Sequence, residues 1–359
     1  MYYRRKIGGN RGNREIKIHG KISFAFRNPL LYKQSLRTSE NNERKAKENF
    51  LNEFKEQVKG KSLRISNFSL LINKFIPIIE ANIIGRENIQ WFGLDNECIG
   101  GETKSYFLLG VIEGFKYINI HKLIDRLDSQ IDTLKSKGYE EIVYKIFVTQ
   151  SRLVVGLGCE SVLETSLTLH KIFGIPYVPA TALKGVCRAL AFWEIADKKE
   201  ILKIEDEKEK NKKLKSLQEK FYGELQINDE DVLKAQLLFG AQNFKGLLLF
   251  LDAYPEIRNN ETVFELDIMN VHYPNYYSGN EPPGDWQNPN PIYFLTIKPG
   301  LRFKIGVLFD KFRYNNLNSN LKKLDIDNLK SNIESLIKEA LSEFGIGAKT
   351  RLGYGILGE

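Results

Sequence analysis

The spacing of apolar residues predicts four amphipathic helices. One lies at residues 119–137, where apolar side chains fall on a single face: Ile120, Leu123, Ile124, Leu127, Ile131 and Leu134. A second begins at Thr181, and a third runs over about 327–344 with Gly345 as its C-terminal stop. The charged segment 40–61 has apolar residues at the same spacing and predicts a surface helix.

Runs of β-branched and aromatic residues predict five strands, at 144–158, 245–255, 292–297, 301–309 and 352–357. Pro299 and Gly300 separate the third run from the fourth, which predicts a β-hairpin. The order is then strand, helix, strand, hairpin, helix and strand. This order predicts an α+β fold, namely an elaborated ferredoxin-like (RRM-like) domain in which two helices cover one face of a four-stranded sheet.

Composition divides the chain more coarsely. Residues 1–140 are expected to form a partly helical N-terminal extension, packed on the ferredoxin-like domain at residues 141–359. Within that domain we expect a charged insertion over 197–235, in which the mixed charge of residues 197–220 predicts an exposed helical or flexible segment. The stretch 256–291 is rich in Asn, Pro, Tyr and Gly, and it predicts a long loop of the kind that usually serves a function.

The net charge points to an anionic partner. The 359 residues carry a formal charge of +8 and a pI of about 9.1, which alone does not separate nucleic acid from a membrane surface. No apolar run approaches the roughly 20 residues of a membrane span. We therefore expect a cytoplasmic protein that does not associate with a membrane. Cys98, Cys159 and Cys187 lack C-x-x-C spacing, which indicates free thiols in a reducing compartment. No cofactor or metal is expected.

The stretch GIGAKTRLGYG lies near the end of the chain. Four glycines and two cations define it: Gly345, Gly347, Lys349, Arg351, Gly353 and Gly355. Because glycine tolerates positive φ and a close backbone approach, the pattern indicates a loop whose amides and basic side chains meet a polyanion. Walker A and dinucleotide loops do not fit, since Ala348 and Thr350 stand where those motifs need glycine. A plain glycine-rich turn before a last strand explains the stretch equally well.

Two further cations lie on the helix predicted from Thr181. Lys184 and Arg188 are four residues apart and therefore project from one side of that helix. They are candidates for binding a phosphate backbone, although a solvated helix face gives the same pattern. Aromatic residues of the long loop are candidates for stacking on bases or for packing against protein: Tyr273, Tyr276, Tyr277 and Trp286.

These stretches together resemble a known family. GIGAKTRLGYG fits the glycine-rich motif of the RAMP superfamily of CRISPR-associated proteins, a G-h-G pair followed by five residues and G-x-G. Further matching stretches are ESVLETSLTLHKIFGIPYVPATALKGVCR, LLLFLDAYP, and DIMNVHYPNYY with PPGDWQNPNPI. Together they resemble the single-RAMP, sixth subunit of the type III-B (Cmr) effector complex. The resemblance covers about residues 144–357 strongly and the first 140 residues weakly.

The resemblance implies a non-catalytic structural subunit that binds RNA in antiviral defence. Such a subunit holds the 3′ region of the CRISPR RNA and the guide–target duplex, beside other Cmr/RAMP subunits. Its RNA-facing positions would be the glycine loop with Lys349 and Arg351, and the helix cations Lys184 and Arg188. This chain departs from the family at Ala180-Thr181-Ala182, where relatives commonly carry Gly-Ser-Ser. The departure reduces the small hydrogen-bonding residues before the helix and weakens the expectation of a phosphate contact from that turn.

The alternative is a metal-independent RAMP endoribonuclease that cuts CRISPR precursor RNA. That chemistry needs a general acid or base, usually His, near the 2′-hydroxyl, and His170 and His272 lie in the matched stretches. A metal site is conceivable, without diagnostic spacing, from Asp252, Asp267, His272 and Asp285. We expect structural roles for these residues, and no catalytic or metal-binding residue.

Overall fold

The computed structural model describes residues 121–159, 161, 165–258, 261–271, 273–286 and 290–359. Within the first 115 residues it describes five strands and three single helical residues, Ser69, Leu108 and Ile112. The chain divides into two compact units. The first comprises residues 1–115, 161–164 and 266–294, and the second comprises residues 116–160, 165–265 and 295–359.

Short strands make up the described part of the first 115 residues. They are β1 (Ile16–His19), β2 (Lys21–Phe24), β3 (Ser35–Thr38), β4 (Pro77–Ala81) and β5 (Gln90–Phe92). β1 pairs with β3, and β4 lies between β2 and β5, all antiparallel. The helix predicted over 40–61 lies outside the described residues. The partly helical extension and its boundary at residue 140 stay predictions.

An antiparallel sheet forms the centre of the second unit. The strands that follow in the chain are β6 (Tyr139–Thr149), β7 (Leu248–Phe250), β8 (Tyr254–Glu256), β9 (Phe264–Val271), β10 (Asn290–Ile297), β11 (Arg302–Asp310) and β12 (Leu357–Gly358). The central sheet has the order β12-β6-β11-β7, and β8 also pairs with β11. β9 and β10 form a separate two-stranded sheet. β11 is thus the central strand of this sheet, because it pairs with β6, β7 and β8.

Five helices longer than two turns lie within the described residues. They are α1 (His121–Ser136), α2 (Ala180–Lys198), α3 (Glu207–Tyr222), α4 (Glu230–Phe239) and α5 (Ile326–Glu339). Aspartates start three of them, because Asp206, Asp229 and Asp325 accept hydrogen bonds from first-turn amides of α3, α4 and α5. The N-terminus of α2 is capped in a different way, which is described with the candidate site.

Helices cover both faces of the central sheet. Neighbouring residues of a strand point to opposite faces. Tyr144 of β6 donates a hydrogen bond to Asp128 of α1, whereas Lys145 bonds with Glu334 of α5. α1 and α5 therefore lie on opposite faces, and α2 contacts both α5 and β7. The core between sheet and helices contains fully buried side chains, among them Phe147, Leu183, Phe303, Ile305 and Ile337.

Three of the predicted helices are confirmed as α1, α2 and α5. The charged insertion predicted over 197–235 contains α3 and the first part of α4, and both of these helices contact α2. Leu217 and Phe221 of α3 are buried, as are Val232 and Leu233 of α4. The charged residues therefore cover only the outer faces of two packed helices.

The predicted hairpin of the third and fourth strands is wrong. β10 pairs with β9, whereas β11 pairs with β6, β7 and β8. Buried Thr149 explains the difference: its hydroxyl donates to Lys298 O (2.9 Å) and accepts from Leu301 N (2.9 Å). Its amide also donates to Leu301 O (2.9 Å). Because Thr149 uses polar groups on both sides of the Pro-Gly turn, the two strands diverge there.

Three further boundaries differ from the predictions. β9 fills part of the long loop expected over 256–291, and its partner β10 begins at the end of that loop. β6 ends at Thr149, well before the predicted residue 158. β12 begins at Leu357 and so shares one residue with the strand predicted over 352–357, since the glycine loop keeps the preceding backbone out of the sheet.

Candidate nucleic-acid interface

The glycine loop (residues 345–355) folds tightly because its glycines adopt positive φ. The values are +70° at Gly345, +95° at Gly347, +85° at Gly353 and +75° at Gly355. Lys349 has a φ of +62°, a conformation that few residues other than glycine adopt. The loop follows a π-helical turn at the end of α5 and contains a 3₁₀ turn at Thr350–Leu352. The pattern of glycines thus reflects backbone reversals along the whole loop.

Backbone hydrogen bonds fasten the glycine loop to the segment that follows β6. Gly355 N donates to Arg152 O (2.7 Å), and Ala348 N donates to Val154 O (2.8 Å). The approach is close enough that a Cβ on Gly347 would lie 2.3 Å from Val154 O. Gly347 is therefore required by packing as well as by its positive φ.

The two cations of the glycine loop lie on its outer turn. Arg351 is exposed, and so is Leu352 beside it, with 71% of its surface accessible. Lys349 is half-buried, and its Nζ lies 5.8 Å from the centroid of the Tyr354 ring. The glycines thus build a rigid base that presents both basic side chains on one turn.

Lys184 lies in a cationic environment on α2. It is half-buried, and no ion pair joins it to a carboxylate among the residues that the structure describes. Burial lowers the pKa of Lys184, and the nearby charges of Arg188 and Lys245 lower it further. A half-buried lysine among other cations creates a site of positive potential that an anion would stabilise.

Arg188, one turn further along α2, faces the protein. Its Nη2 donates to Gly240 O (3.1 Å) and to Phe221 O (3.4 Å). The guanidinium also lies 4.5 Å from the centroid of the Tyr222 ring, and burial lowers the pKa of Arg188. These contacts fix the ends of α3 and α4 against α2. A contact of Arg188 with RNA stays a prediction.

The N-terminus of α2 is capped from another part of the chain. Its N-cap residue is Pro179, which offers no side-chain hydrogen bond. Asp252, in the segment between β7 and β8, accepts a hydrogen bond from Ala180 N (2.7 Å) instead. This carboxylate occupies the helix end at Ala180-Thr181-Ala182, so an anionic phosphate would meet like charge there.

Replacement of the cap tests this assignment. Asp252→Ala is expected to lower the free energy of unfolding by about 1 kcal/mol, the usual cost of losing a side-chain cap. Asp252→Asn retains an oxygen acceptor and is expected to lose less than half as much. Chemical denaturation of both variants measures the difference. Equal stability of Asp252→Ala and the unchanged chain would contradict the capping role.

His170 belongs to an aromatic cluster beside β8. Its Nδ1 accepts hydrogen bonds from the amides of Ile172 and Phe173, each at 3.2 Å. The ring centroids of Tyr177 and Tyr254 lie 6.0 and 5.9 Å from its own. Burial lowers the pKa of His170, although the carboxylate of Asp252 opposes the shift. His170 therefore holds a turn with one of its two ring nitrogens. His272 lies outside the described residues.

The aromatic residues between β9 and β10 lie in a polar connection, residues 273–286, which we call the tip. Tyr273 donates a hydrogen bond from its hydroxyl to Asp285 (3.1 Å), which closes the tip. Tyr277 and Trp286 are exposed by 75% and 73%. The sequence between Arg258 and Lys298 contains five acidic residues and no Lys or Arg, so phosphate contacts are not favoured there. Stacking on bases and packing against protein both stay predictions.

Among the described residues, no three His, Cys, Asp or Glu side chains come together as a metal ion would need. No helix in the same part of the chain has the length and apolarity to cross a membrane. Cys159 and Cys187 carry free thiols, and burial raises the pKa of Cys187 to about 12.

Sequence reasoning missed two residues of the cationic group on α2. Lys245 lies at the start of a predicted strand, and Tyr222 lies two residues after the mixed-charge stretch 197–220. Neither carries a local signal that connects it with Lys184 or Arg188. The packing of α3 and of the segment after α4 against α2 brings them together, and only the fold reveals it.

Comparison with known proteins places the chain in a family. Residues 146–357, which include most of the central sheet, α2 and the glycine loop, match the model of the RAMP superfamily. The chain belongs to the RAMP superfamily. It is also 37% identical, over 343 residues, to the CRISPR system Cmr subunit Cmr6 of Pyrococcus furiosus, an alignment covering 82% of this chain and 94% of that protein.

Solved structures give two further similarities. The crystal structure of Cmr6 from Pyrococcus furiosus is 34% identical, covers 62% of this chain and 98% of its own, and has a TM-score of 0.37. The cryo-EM structure of the type III-B Cmr-beta bound to cognate target RNA contains a chain that is 18% identical. That match covers 86% of each chain with a TM-score of 0.48.

Proposed function

We propose that this chain is a non-catalytic, RNA-binding structural subunit of a type III-B CRISPR (Cmr) effector complex. The observation that carries the proposal is the 37% identity to a Cmr subunit over 94% of that subunit's length. In such a complex the chain holds the 3′ region of the CRISPR RNA and the guide–target duplex. Its partners are CRISPR RNA, target RNA and other Cmr/RAMP subunits, in the cytoplasm.

We also propose that the second unit is an elaborated ferredoxin-like domain. The order β6, α2, β7, β11, α5 and β12 along the chain supports this description. So does the antiparallel sheet order β12-β6-β11-β7, in which each helix links two strands that are not neighbours. α1, α3 and α4 are additions to this plan.

The two cationic groups suit an RNA backbone. Lys349 and Arg351 are displayed on a rigid turn, and Lys184 is a cation without a carboxylate partner among the described residues. Contacts of this kind position a nucleic acid through its phosphates and carry no sequence information. Their binding energy falls with salt, and each phosphate contact adds about 0.7 to 0.9 to the log–log slope.

RNA cleavage by this chain has no support among the described residues. A general acid or base must reach the 2′-hydroxyl with a free nitrogen and a suitable pKa. In His170, Nδ1 accepts two backbone amides, which ties the ring to a turn of the fold and leaves only Nε2 for other contacts, and burial lowers the pKa. We therefore assign His170 to the fold and no residue to catalysis.

Removal of the loop cations tests the proposed interface. Lys349→Ala combined with Arg351→Ala is expected to weaken binding of the full chain to a fluorescent single-stranded RNA about tenfold, which corresponds to a net contribution of about 0.7 kcal/mol from each contact. The slope of affinity against salt is expected to fall by about 1.5 for two lost phosphate contacts. Fluorescence anisotropy over a salt series measures both quantities.

The matched control removes two exposed lysines whose charges carboxylates already neutralise. Lys135 pairs with Glu141 (3.1 Å) and Lys311 pairs with Glu140 (2.9 Å). Lys135→Ala with Lys311→Ala changes the net charge equally and is expected to leave the slope within about 0.3 of the unchanged chain. An equal loss in both double variants would mean that net charge, and not the glycine loop, binds the RNA.

A further inference from the structure

α3 carries a row of lysines on one face. Lys208, Lys212 and Lys215 are separated by four and then three residues, which places them on the same side of the helix. All three are exposed, and no ion pair joins any of them to a carboxylate within the described residues. Other lysines of α3 are engaged: Lys210 donates to Leu202 O (2.8 Å), and Lys213 pairs with Glu209 (2.8 Å).

The row of lysines points along α3 toward the cationic group of α2. Tyr222 follows Lys215 by seven residues and so falls on the same face. The guanidinium of Arg188 lies over the Tyr222 ring at 4.5 Å, and Arg188 is close enough to Lys184 to lower its pKa. The lysine face of α3 therefore ends at Tyr222, which contacts the cationic group of Arg188, Lys184 and Lys245.

One carboxylate interrupts this face. Glu219 lies between Lys215 and Tyr222 on the same side of α3, and it is exposed without an ion pair among the described residues. From Lys208 to Tyr222 the helix rises by about 21 Å. That length corresponds to about six phosphates of one strand in a duplex. An extended polyanion matches this face better than a single bound ion does.

We propose that this face of α3, with Lys208, Lys212 and Lys215, binds the phosphate backbone of RNA and extends the RNA path from Lys184 on α2. The inference rests on the proposed RNA-binding function. It adds α3 to the RNA-binding surface, although the charged sequence of this segment alone predicts only a solvated helix. RNA is favoured over an acidic protein because the lysine face ends at Tyr222, whose ring contacts Arg188. One turn along α2 from Arg188 lies Lys184, a half-buried cation that pairs with no carboxylate in the part of the chain that the structure describes.

The test compares three variants of the full chain with a fluorescent single-stranded RNA between about 50 and 200 mM salt. Lys208→Gln, Lys212→Gln and Lys215→Gln together are expected to weaken binding about 10- to 100-fold at the lowest salt and to lower the salt slope by about 2. Glu219→Gln is expected to strengthen binding about two- to threefold, because it removes the one negative charge of this face.

The control changes three lysines that carboxylates already neutralise. Lys198 pairs with Asp231 (2.5 Å), Lys199 with Asp229 (3.0 Å) and Lys203 with Glu200 (2.9 Å). Their change to Gln is expected to leave the salt slope within about 0.3 of the unchanged chain. Weaker binding in the α3 variant but not in the control supports the inference.

Three outcomes overturn the inference. If the α3 variant binds RNA as the unchanged chain does, while the Lys349 and Arg351 variant loses binding, α3 is not part of the RNA path and the proposed function stands. If the α3 variant binds RNA normally but no longer co-purifies with another Cmr subunit, the partner of α3 is an acidic protein. If all of the variants bind RNA as tightly as the unchanged chain does, the proposed interface itself is wrong.

Discussion

Gly355→Ala is expected to lower the free energy of unfolding by about 3 kcal/mol or more. Gly355 has a φ of +75°, and a Cβ at this position would lie 2.0 Å from Ile346 O. The backbone cannot move away easily, because Gly355 N donates to Arg152 O and Gly355 O accepts from Ile346 N. The variant must therefore break a loop bond or keep a severe overlap. Thermal and chemical denaturation measure the loss.

Gly353→Ala is the matched control for this prediction. Its φ of +85° is as unfavourable for alanine, yet a Cβ there would meet no atom within 4 Å. Only the conformational term remains, so the expected loss is about 1 kcal/mol. Similar losses in the two variants would mean that the loop relaxes freely, and would contradict a rigid base under Lys349 and Arg351.

Arg188→Ala is expected to destabilise the fold by about 2 to 4 kcal/mol. Gly240 O loses its Arg188 donor, and a buried polar group left unsatisfied costs about 1 to 3 kcal/mol. Phe221 O also loses Arg188 but keeps the hydrogen bond that Gln236 Nε2 donates to it (3.4 Å). The cation–π contact with Tyr222 is lost as well. Chemical denaturation measures the destabilisation, and Arg188→Lys is expected to recover little, since lysine lacks the planar fork of donors.

Lys184→Ala separates RNA binding from stability. Lys184 makes no ion pair among the described residues, and burial disfavours its charged form. Its removal is expected to change the free energy of unfolding by less than about 0.5 kcal/mol, while the affinity for RNA falls about fivefold. A stable Arg188→Ala variant with weakened RNA binding would reverse the assignment of the two residues.

The helices were predictable because their signals are local. α5 has Leu329, Ile333 and Ile337 at intervals of four residues, an aspartate cap before it and Gly345 after it. All of this information lies within about 20 residues of sequence. The pairing of β10 was not predictable, because Thr149 takes hydrogen bonds around the Pro-Gly turn from a position about 150 residues away.

The same distinction holds for the candidate interface. Lys349 and Arg351 share one short loop, so the glycine pattern around them is enough to single them out. The difference between Lys184 and Arg188 is invisible in the sequence, since both lie on the same side of α2. It arises from Gly240, Phe221 and Tyr222, which α3 and α4 bring to Arg188 from more than 30 residues away.

Native purification of the tagged chain from its own host tests the central claim most directly. Co-purified RNA is end-labelled and sized, and the co-purified proteins are identified by mass spectrometry. The proposed function predicts CRISPR RNAs of discrete lengths together with other Cmr subunits. A chain that comes out alone and cleaves CRISPR repeat RNA after purification would contradict it, and would make His170 and His272 the first residues to replace.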